Sequence, residues 1–236
     1  MAKVLCWRNP DDYMPDSLRD KARFKNPNNK VYLEGIVTED LRFEYKFNNV
    51  SYYKTAIQVK RPTGETDKIP IIMSESLATE KLEPGAVSKF VRVYGEYQSR
   101  NNEDMYGGKH VSLYVFVKQI NAFERKEQAL KGDVPNAVYL KGRVCKCPEI
   151  RGAEANIISI VLEVPRAEGI TKHNDYINCV GLGKNANLAR KLKYGDTVEI
   201  FGIIQSRKYL KKDNPDLPQG EYKTAYNVVI KLLFKC

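Results

Sequence analysis

Two nearly identical stretches decide the fold of this chain: NKVYLEG, from Asn29 to Gly35, and NAVYLKG, from Asn136 to Gly142. A second matched pair follows in each half, VRVYGEYQSR starting at Val91 and VEIFGIIQSR starting at Val198. Both pairs are offset by 107 positions (142 − 35 and 198 − 91). Two segments that agree in register at both ends are two copies of one folded unit. A repeat this long predicts tandem domains, because solenoid repeats are much shorter.

Each copy has the pattern of a small β-domain. The residues around Gly35 and Gly142 alternate with a period of two, which is typical of strands, and a glycine inside a strand marks a bend or a close backbone approach. A short helix is predicted in each copy, at 75–82 and 185–192, because both runs end at turn residues. Further strands are predicted at 41–47, 52–60, 68–73, 89–98 and 111–120, and at 157–164, 175–180, 197–205 and 224–234.

Five strands with a helix between the third and the fourth describe the oligonucleotide/oligosaccharide-binding (OB) fold. We therefore predict an all-β protein made of two tandem five-stranded OB-fold barrels. The predicted boundaries are an N-terminal extension at 1–28, a first barrel at 29–123, a linker at 124–135 and a second barrel at 136–236. The extension, with a short strand around Val4–Trp7, has no counterpart in the second half.

The overall composition favours a polyanionic partner. The 236 residues carry a net charge of +10, from 39 Lys and Arg against 29 Asp and Glu, and such an excess promotes association with polyanions. No apolar run approaches the roughly 20 residues that span a bilayer, and the apolar stretch in MAKVLCWRNPDD is too short for a secretory signal. We expect a cytoplasmic protein without membrane association. Its five cysteines are odd in number and unevenly placed, as reduced thiols are.

A longer motif in the second copy carries a family resemblance. The stretch from Asp175 to Tyr209, DYINCVGLGKNANLARKLKYGDTVEIFGIIQSRKY, resembles the core signature of bacterial single-stranded DNA-binding proteins. In that family an aromatic strand position leads into G-K-x-A, a helix, K/Y-G-D, and a strand that ends in S/T-R-x-aromatic. The first copy, from Phe47 to Leu77 and again from Val91, resembles a related form in the same superfamily.

The resemblance implies a function and an assembly. It implies binding of single-stranded DNA with little sequence preference, in replication, recombination or repair, by a nucleoid-associated protein. It also implies a homodimer with four barrels and contacts with replication or repair proteins. RNA stays open as a ligand, because base stacking does not distinguish the two sugars.

The resemblance and the residue chemistry together predict the binding residues. Tyr176 and Tyr209 occupy the family's aromatic positions, where flat rings stack on unpaired bases. The first copy has Lys68 and Asn102 at these positions, so stacking there is expected to be weaker or to move to other tyrosines. Phosphates need a cationic track, which the basic residues of the hairpins supply. The predicted nucleic-acid-binding residues are Tyr53, Lys60, Arg61, Lys68, Tyr97, Arg100, Tyr106, Lys109, Arg166, Lys172, Tyr176, Arg207, Lys208, Tyr209, Lys211 and Lys212.

The residues of a metal site or an enzyme are poorly represented in this sequence. Cys145 and Cys147 invite a zinc interpretation, but C-x-C is not the usual knuckle and no histidine flanks it, and Cys179 is expected in the core. The acidic residues are scattered and no catalytic motif is present, so we predict no enzyme activity, no metal and no cofactor. Two alternatives remain: a primosome-type replication-restart OB protein, related to primosomal replication protein N, and an interaction scaffold with weak nucleic-acid binding.

Overall fold

The computed structural model describes residues 10–61, 63–82, 85, 87–103, 109–123, 135–151, 156–167, 173–211 and 221–236. The described chain is all-β, as predicted, with twelve strands in one continuous hydrogen-bonded sheet and few helices. The strands are β1 (Asn29–Val37), β2 (Arg42–Phe47), β3 (Val50–Lys60), β4 (Thr66–Ser74), β5 (Phe90–Glu103), β6 (Lys109–Phe123), β7 (Asn136–Val144), β8 (Glu149–Arg151), β9 (Ile157–Pro165), β10 (Asn174–Leu182), β11 (Thr197–Lys211) and β12 (Glu221–Lys235). The helices are α1 (Asp16–Arg19), α2 (Glu75–Lys81) and α3 (Lys184–Ala189), with 3-10 turns at Pro10–Tyr13 and Lys21–Arg23.

Strand pairing closes on itself in each half. In the first half β1 pairs with β3, β3 with β4, β4 in parallel with β6, β6 with β5, and β5 with β1 again. We call this closed set the first ring. The second ring repeats it with β7, β9, β10, β12 and β11. Along the chain, helix α2 lies between β4 and β5 and helix α3 between β10 and β11, which are the third and fourth strands of each ring in sequence order. Strands β2 and β8 are the two ends of the sheet.

The strands are longer than predicted at the two hairpins. Strands β5 and β6 pair as far as Glu103 and Lys109, and β11 and β12 as far as Lys211 and Glu221. The sequence there is polar and was predicted as loop. Antiparallel pairing needs only main-chain donors and acceptors, so polar side chains do not end these strands. The short strand β8 was also not predicted.

The repeated glycines lie where each ring closes. A Cβ atom on Gly142 would be 2.6 Å from the backbone oxygen of Glu163, and a Cβ on Gly202 would be 2.6 Å from that of Val229. Strand β11 also has a register shift at Phe201–Gly202. A side chain at these positions would push the neighbouring strand away, which explains why the motif repeats as glycine.

The two rings are joined by their equivalent strands. Strand β1 pairs antiparallel with β7, and Val31 faces Val138, the residue 107 positions later (138 − 31). An approximate two-fold axis therefore passes between these two valines. Along it the apolar interiors of the rings merge into one continuous core. Asn29 bonds both backbone groups of Tyr97, as Asn136 does with Ile204.

The N-terminal extension breaks this symmetry. Its residues 10–28 pack across the β1–β7 junction, with Leu18 fully buried and Phe24 nearly so, against aromatic residues of both rings. The Arg23 guanidinium of the extension lies 4.4 Å from the centre of the Tyr94 ring. One outer face of the double ring is thus covered by a segment that occurs only once in the chain.

Some sequence predictions fall outside the described residues. The short strand proposed around Val4–Trp7 and most of the predicted linker, residues 124–134, belong to this group. In the part of the chain that is described, no helix has the length and apolar character that crossing a membrane requires.

Replacing Gly142 by alanine tests whether ring closure needs the missing side chain. Gly142→Ala should lower the free energy of unfolding by about 1–3 kcal/mol, because the added methyl overpacks a closed strand pair. Urea denaturation followed by circular dichroism measures this. Thr197→Ala, at an exposed position of the neighbouring strand β11, is the control and should change stability by less than about 0.5 kcal/mol. Equal effects of the two substitutions would contradict the steric explanation.

Candidate nucleic-acid interface

A buried carboxylate in the first ring holds the long hairpin of the second. Asp67 is fully buried and accepts from the Arg61 guanidinium at 2.6 Å and 2.5 Å. The same carboxylate accepts from the backbone N–H of Ser206 at 2.7 Å and from its hydroxyl at 2.9 Å. Arg61 completes the contact by donating to the Ser206 carbonyl at 3.1 Å. We call this group the first clamp.

The second ring holds the hairpin of the first in the same way. Asp175, also fully buried, accepts from Arg166 at 3.0 Å and 2.6 Å and from the Ser99 backbone N–H at 2.7 Å. Arg166 donates to the Ser99 carbonyl at 2.8 Å, and the Tyr176 backbone N–H donates to the Ser99 hydroxyl. This second clamp mirrors the first, so each ring holds the serine of the other ring's Q-S-R motif.

The clamps correct two predictions. Arg61 and Arg166 were predicted to contact phosphates, but both guanidinium groups are engaged between the rings. Their role is structural, because each compensates a buried carboxylate. No local pattern indicates these contacts, since the partner serines lie 145 and 67 residues away.

The clamp also sets the ionisation of Asp67. Burial by itself raises the pKa of this carboxyl, but hydrogen bonds from Arg61 and Ser206 and the charge of Arg61 outweigh that effect. The pKa of Asp67 therefore lies below its ordinary value. The carboxylate stays ionised at neutral pH although it is buried.

A cleft of about 1170 Å³ opens between the rings and is lined by both. Tyr176 on β10 and Tyr209 on β11 line it, with 46% and 39% of their surface exposed. Tyr194, after helix α3, and Tyr226 on β12 line it as well. The two tyrosines predicted to stack on bases thus lie in one shared cleft with exposed rings.

Basic residues surround these tyrosines. Those that line the cleft are Lys54, Lys68, Arg143, Lys146 and Lys223. Lys68 forms an ion pair with Glu39, Arg143 with Glu163 at 2.5 Å, and Lys54 with Glu44 at 3.9 Å. Hydrogen bonding to Arg143 is the main cause that lowers the pKa of Glu163. The charge of Glu163 in turn raises the pKa of Tyr176, which keeps its phenol neutral.

A second aromatic surface lies on the first ring. Tyr45 and Tyr52 stack with ring centres 4.9 Å apart, and Phe116 follows at 5.7 Å from Tyr52. We call these three residues the aromatic strip. Arg100 lies 4.6 Å over Tyr45, and Lys118 lies 5.0 Å over Phe116. Arg100, predicted as a phosphate contact, is exposed there.

The three rings of the strip are half-buried, whereas the hairpin beside the strip has exposed aromatic residues. Phe43 and Phe47 of strand β2 have 60% and 63% of their surface exposed. The sequence predicts a strand here, but the predicted binding residues include neither of these rings. The signal was present in RFEYKF, where aromatic residues alternate with charged ones, two of them basic, and single-strand-binding surfaces combine aromatic and basic side chains.

Two predicted stacking residues face the interior. Tyr97 was predicted as a base-stacking residue, and this is wrong, because it is 0% exposed within the merged core of the rings. The alternation of β5 turns it inward, and burial raises the pKa of its phenol strongly. Tyr53 is half-buried and packs against the core, with its hydroxyl 3.5 Å from Glu75.

The remaining predicted residues fall into two groups. Lys60, Arg207 and Lys208 are exposed on strands outside the cleft lining. Tyr106, Lys172 and Lys212 lie outside the described residues, and of Lys109 and Lys211 only the backbone is described.

The described cysteines are not part of a metal site. Cys179 is fully buried, as expected, and the Cys145 thiol donates to the Val161 carbonyl at 3.3 Å. Among the described residues, no three His, Cys, Asp or Glu side chains are grouped to hold a metal ion.

Comparison with known proteins adds a family and a fold. Residues 135–233 match the sequence model of the Single-strand binding protein family. No curated protein matches the chain. The structure is similar to the wild-type single-stranded DNA binding protein from Thermus aquaticus, with a TM-score of 0.62 and 16% identity over 88% of this chain and 92% of that one. A deletion mutant of the same protein gives a TM-score of 0.61 and 17% identity over 88% and 94%. At these identities the likeness concerns the fold.

Asp67→Asn tests the first clamp. The substitution leaves Arg61 without its carboxylate, and we expect it to lower the free energy of unfolding by about 2–3 kcal/mol at pH 7. This is less than the roughly 3–5 kcal/mol for a fully buried pair, because Arg61 is 20% exposed. Since the folded-state pKa of Asp67 is lowered, its contribution is complete above about pH 4 and is lost as the pH falls through the folded value. The difference in the free energy of unfolding between wild type and Asp67→Asn should therefore be smaller at acidic pH.

Urea denaturation at pH 7 and pH 3 measures both effects. Asp16→Asn is the matched control, because Asp16 forms an ion pair with Arg19 in which its side chain is 78% exposed. That control should cost less than about 1 kcal/mol. A loss in Asp67→Asn no larger than in Asp16→Asn, or one that is the same at both pH values, would contradict the proposed clamp.

Proposed function

We propose, from the premise that the second half of this chain belongs to the single-strand binding protein family, that the protein binds single-stranded DNA in the cleft between its rings. The observation that carries the proposal is the position of Tyr176 and Tyr209. Both are exposed, both line one cleft, and basic side chains surround them.

We interpret the two rings as tandem OB-fold barrels. Each closed set has five strands, with a helix between the third and the fourth, which is the arrangement of that fold. The likeness to the Thermus aquaticus protein extends over 88% of this chain, which supports assigning the fold to both halves. The domain boundaries at 29–123 and 136–236 remain part of this proposal.

The chemistry of the cleft suits an unpaired strand. Exposed bases have flat apolar faces, and each base stacked on an aromatic ring contributes about 1–3 kcal/mol. Such stacking accepts any base, so binding should show little sequence preference. Lys54, Lys146 and Lys223 supply positive charge for the phosphates. A duplex hides its base faces, so it cannot use the tyrosines.

The cellular role extends this proposal. A protein that covers unpaired DNA would act in replication, recombination or repair, in the cytoplasm with the nucleoid, as a binding protein without catalytic activity. A homodimer with four barrels and contacts with replication or repair proteins stay predictions. Sedimentation of the full chain measures its oligomeric state and so tests the predicted homodimer directly.

Alanine substitutions of the cleft tyrosines test the proposed site. Tyr176→Ala and Tyr209→Ala should each weaken binding of oligo-dT by roughly 5- to 150-fold, which corresponds to one lost stack of about 1–3 kcal/mol. Fluorescence anisotropy measures the affinity. Tyr222→Ala is the control, because Tyr222 is 75% exposed on β12 and does not line the cleft. If the control loses as much affinity as the cleft variants, the single-stranded DNA binds outside the cleft.

A salt titration tests the ligand class. Oligo-dT should bind far more tightly than duplex DNA, and its affinity should fall with salt, with a log–log slope of about −0.7 for each phosphate contact. Oligo-U in the same titration measures the preference between DNA and RNA. Equal affinity for duplex and single strand would refute the cleft proposal.

A further inference from the structure

The N-terminal extension lies on an aromatic face that both rings build. The face is the outer side of the β1–β7 junction, and its rings come from five strands: Tyr32, Tyr94, Tyr139, Phe201 and Phe234. We call these five residues the junction face. None of them lines the cleft, so the face is separate from the candidate nucleic-acid interface.

Most of this face obeys the two-fold relation of the rings. Tyr139 is the counterpart of Tyr32, and Phe201 is that of Tyr94, both at the 107-residue offset (139 − 32 and 201 − 94). The rings also pack in matching pairs, Tyr32 against Tyr94 with centres 5.1 Å apart and Tyr139 against Phe201 at 5.0 Å. A surface with this symmetry can meet its own copy in an isologous contact, to which each chain contributes the same patch. Its apolar character favours such a contact wherever water reaches it.

The extension occupies this surface with apolar side chains of its own. Leu18 is 0% exposed and Phe24 is 7% exposed. The Phe24 ring meets Tyr94 edge-on with centres 5.9 Å apart, and the Tyr13 ring lies 5.7 Å from that of Phe234. These side chains fill the place that the side chains of a second chain would fill.

The positions that break the symmetry of the face contact the extension. Lys30 stands where the second half has Ala137, and its ammonium lies 6.0 Å from the centre of the Phe24 ring, within reach of a cation–π contact. Phe234, the ring that meets the extension from β12, has Asn121 of β6 as its counterpart in the strand pairing. The face thus combines a symmetric base with asymmetric positions that hold the extension in one orientation.

The extension can leave the face without breaking the sheet. It contains no strand among residues 10–28, and its turns are closed internally, for example by the Leu18 N–H that donates to the Pro15 carbonyl at 2.8 Å. A backbone bond to the second ring, from the Lys141 N–H to the Asn28 carbonyl at 2.8 Å, comes at its C-terminal end. Side-chain burial rather than strand pairing therefore holds residues 10–25 in place. Segments of this kind open locally at a lower free energy than the whole fold.

We infer that residues 10–28 are an intramolecular cover that keeps a second copy of this chain off the junction face. While the cover is docked, self-association through this face is blocked. When the cover opens, two chains associate through their junction faces, so the docking of the extension sets the number of rings in the assembly. The inference concerns a surface outside the cleft and does not depend on the proposed function.

Leu18→Asp in the full chain tests the cover. The substitution places a carboxylate in the apolar contact, which should undock the extension. Sedimentation equilibrium over a series of protein concentrations then measures the mass. The mass of Leu18→Asp should reach twice that of the wild type at the same concentration. Ala22→Asp is the matched control, because it adds the same charge at an exposed position of the extension, and it should keep the wild-type mass.

Amide hydrogen exchange measures undocking independently of mass. Exchange across residues 10–28, read by mass spectrometry, reports how often this segment opens. It should be at least roughly 30-fold faster in Leu18→Asp than in the wild type, the factor that corresponds to about 2 kcal/mol, the lower value for truncating a buried leucine. Ala22→Asp should exchange at nearly the wild-type rate.

A milder variant guards against a loss of folding. If circular dichroism shows that Leu18→Asp is unfolded, Phe24→Ala takes its place, with the same expected changes in mass and exchange. Fast exchange at the wild-type mass would overturn the inference, because the open face would then not bind a second copy. Aggregates without a defined mass, wild-type exchange in both variants, or unfolding of both would overturn it as well, since residues 10–28 would then not act as a separable cover over a two-chain contact.

Discussion

The antiparallel pairing of β1 with β7 is the interaction on which the rest of this structure depends. Because Val31 faces its own counterpart, Val138, this pairing fixes the rings in a two-fold relation. That relation brings the hairpin of each ring onto the β4 or β10 strand of the other. The clamps of Asp67 and Asp175 then hold the hairpins by their serines. The cleft consequently lies between two rings that are joined by strand pairing and by both clamps. Preorganisation of this kind reduces the entropy lost on binding.

Duplication within one chain allows the two rings to differ. In a homodimer every substitution appears twice, so a cleft on the axis stays symmetric. Here the second half has Tyr176 and Tyr209 where the first has Lys68 and Asn102, and only the first ring has the aromatic strip. The shared framework, meanwhile, is the same in both halves: the glycines at ring closure, the reciprocal asparagines and the two clamps. At exposed positions such as Lys68 and Tyr176, the differences change binding chemistry without disturbing the fold.

The sequence predicted what depends on local pattern. The matched motifs around Gly35 and Gly142 indicated strands and a duplication, and the all-β class is confirmed. Tyr176 alternates outward from buried neighbours, so its exposure followed from the period of a strand. The ring–ring contacts could not be predicted, because nothing local distinguishes an Arg61 that binds Asp67 from one that binds phosphate. The prediction that Tyr97 stacks on bases was wrong for a related reason. It faces a core that exists only where the two rings merge, and no single copy of the repeat contains that core.

The N-terminal extension bears on how many chains a working unit needs. The face across the β1–β7 junction carries Tyr32, Tyr94, Tyr139 and Phe201, an area of aromatic surface that would promote association if water could reach it. Residues 10–28 cover it within the same chain, and Leu18 and Phe24 are buried there. A second chain therefore cannot use this face without displacing the extension. A four-ring assembly would have to form elsewhere, and the sheet of described residues ends at β2 and β8, where the backbone of an end strand can accept another strand. Pairing along β2 would place a second chain beside Phe43 and Phe47, next to the aromatic strip. Assembly and strand binding would then compete for, or share, the same edge of the first ring.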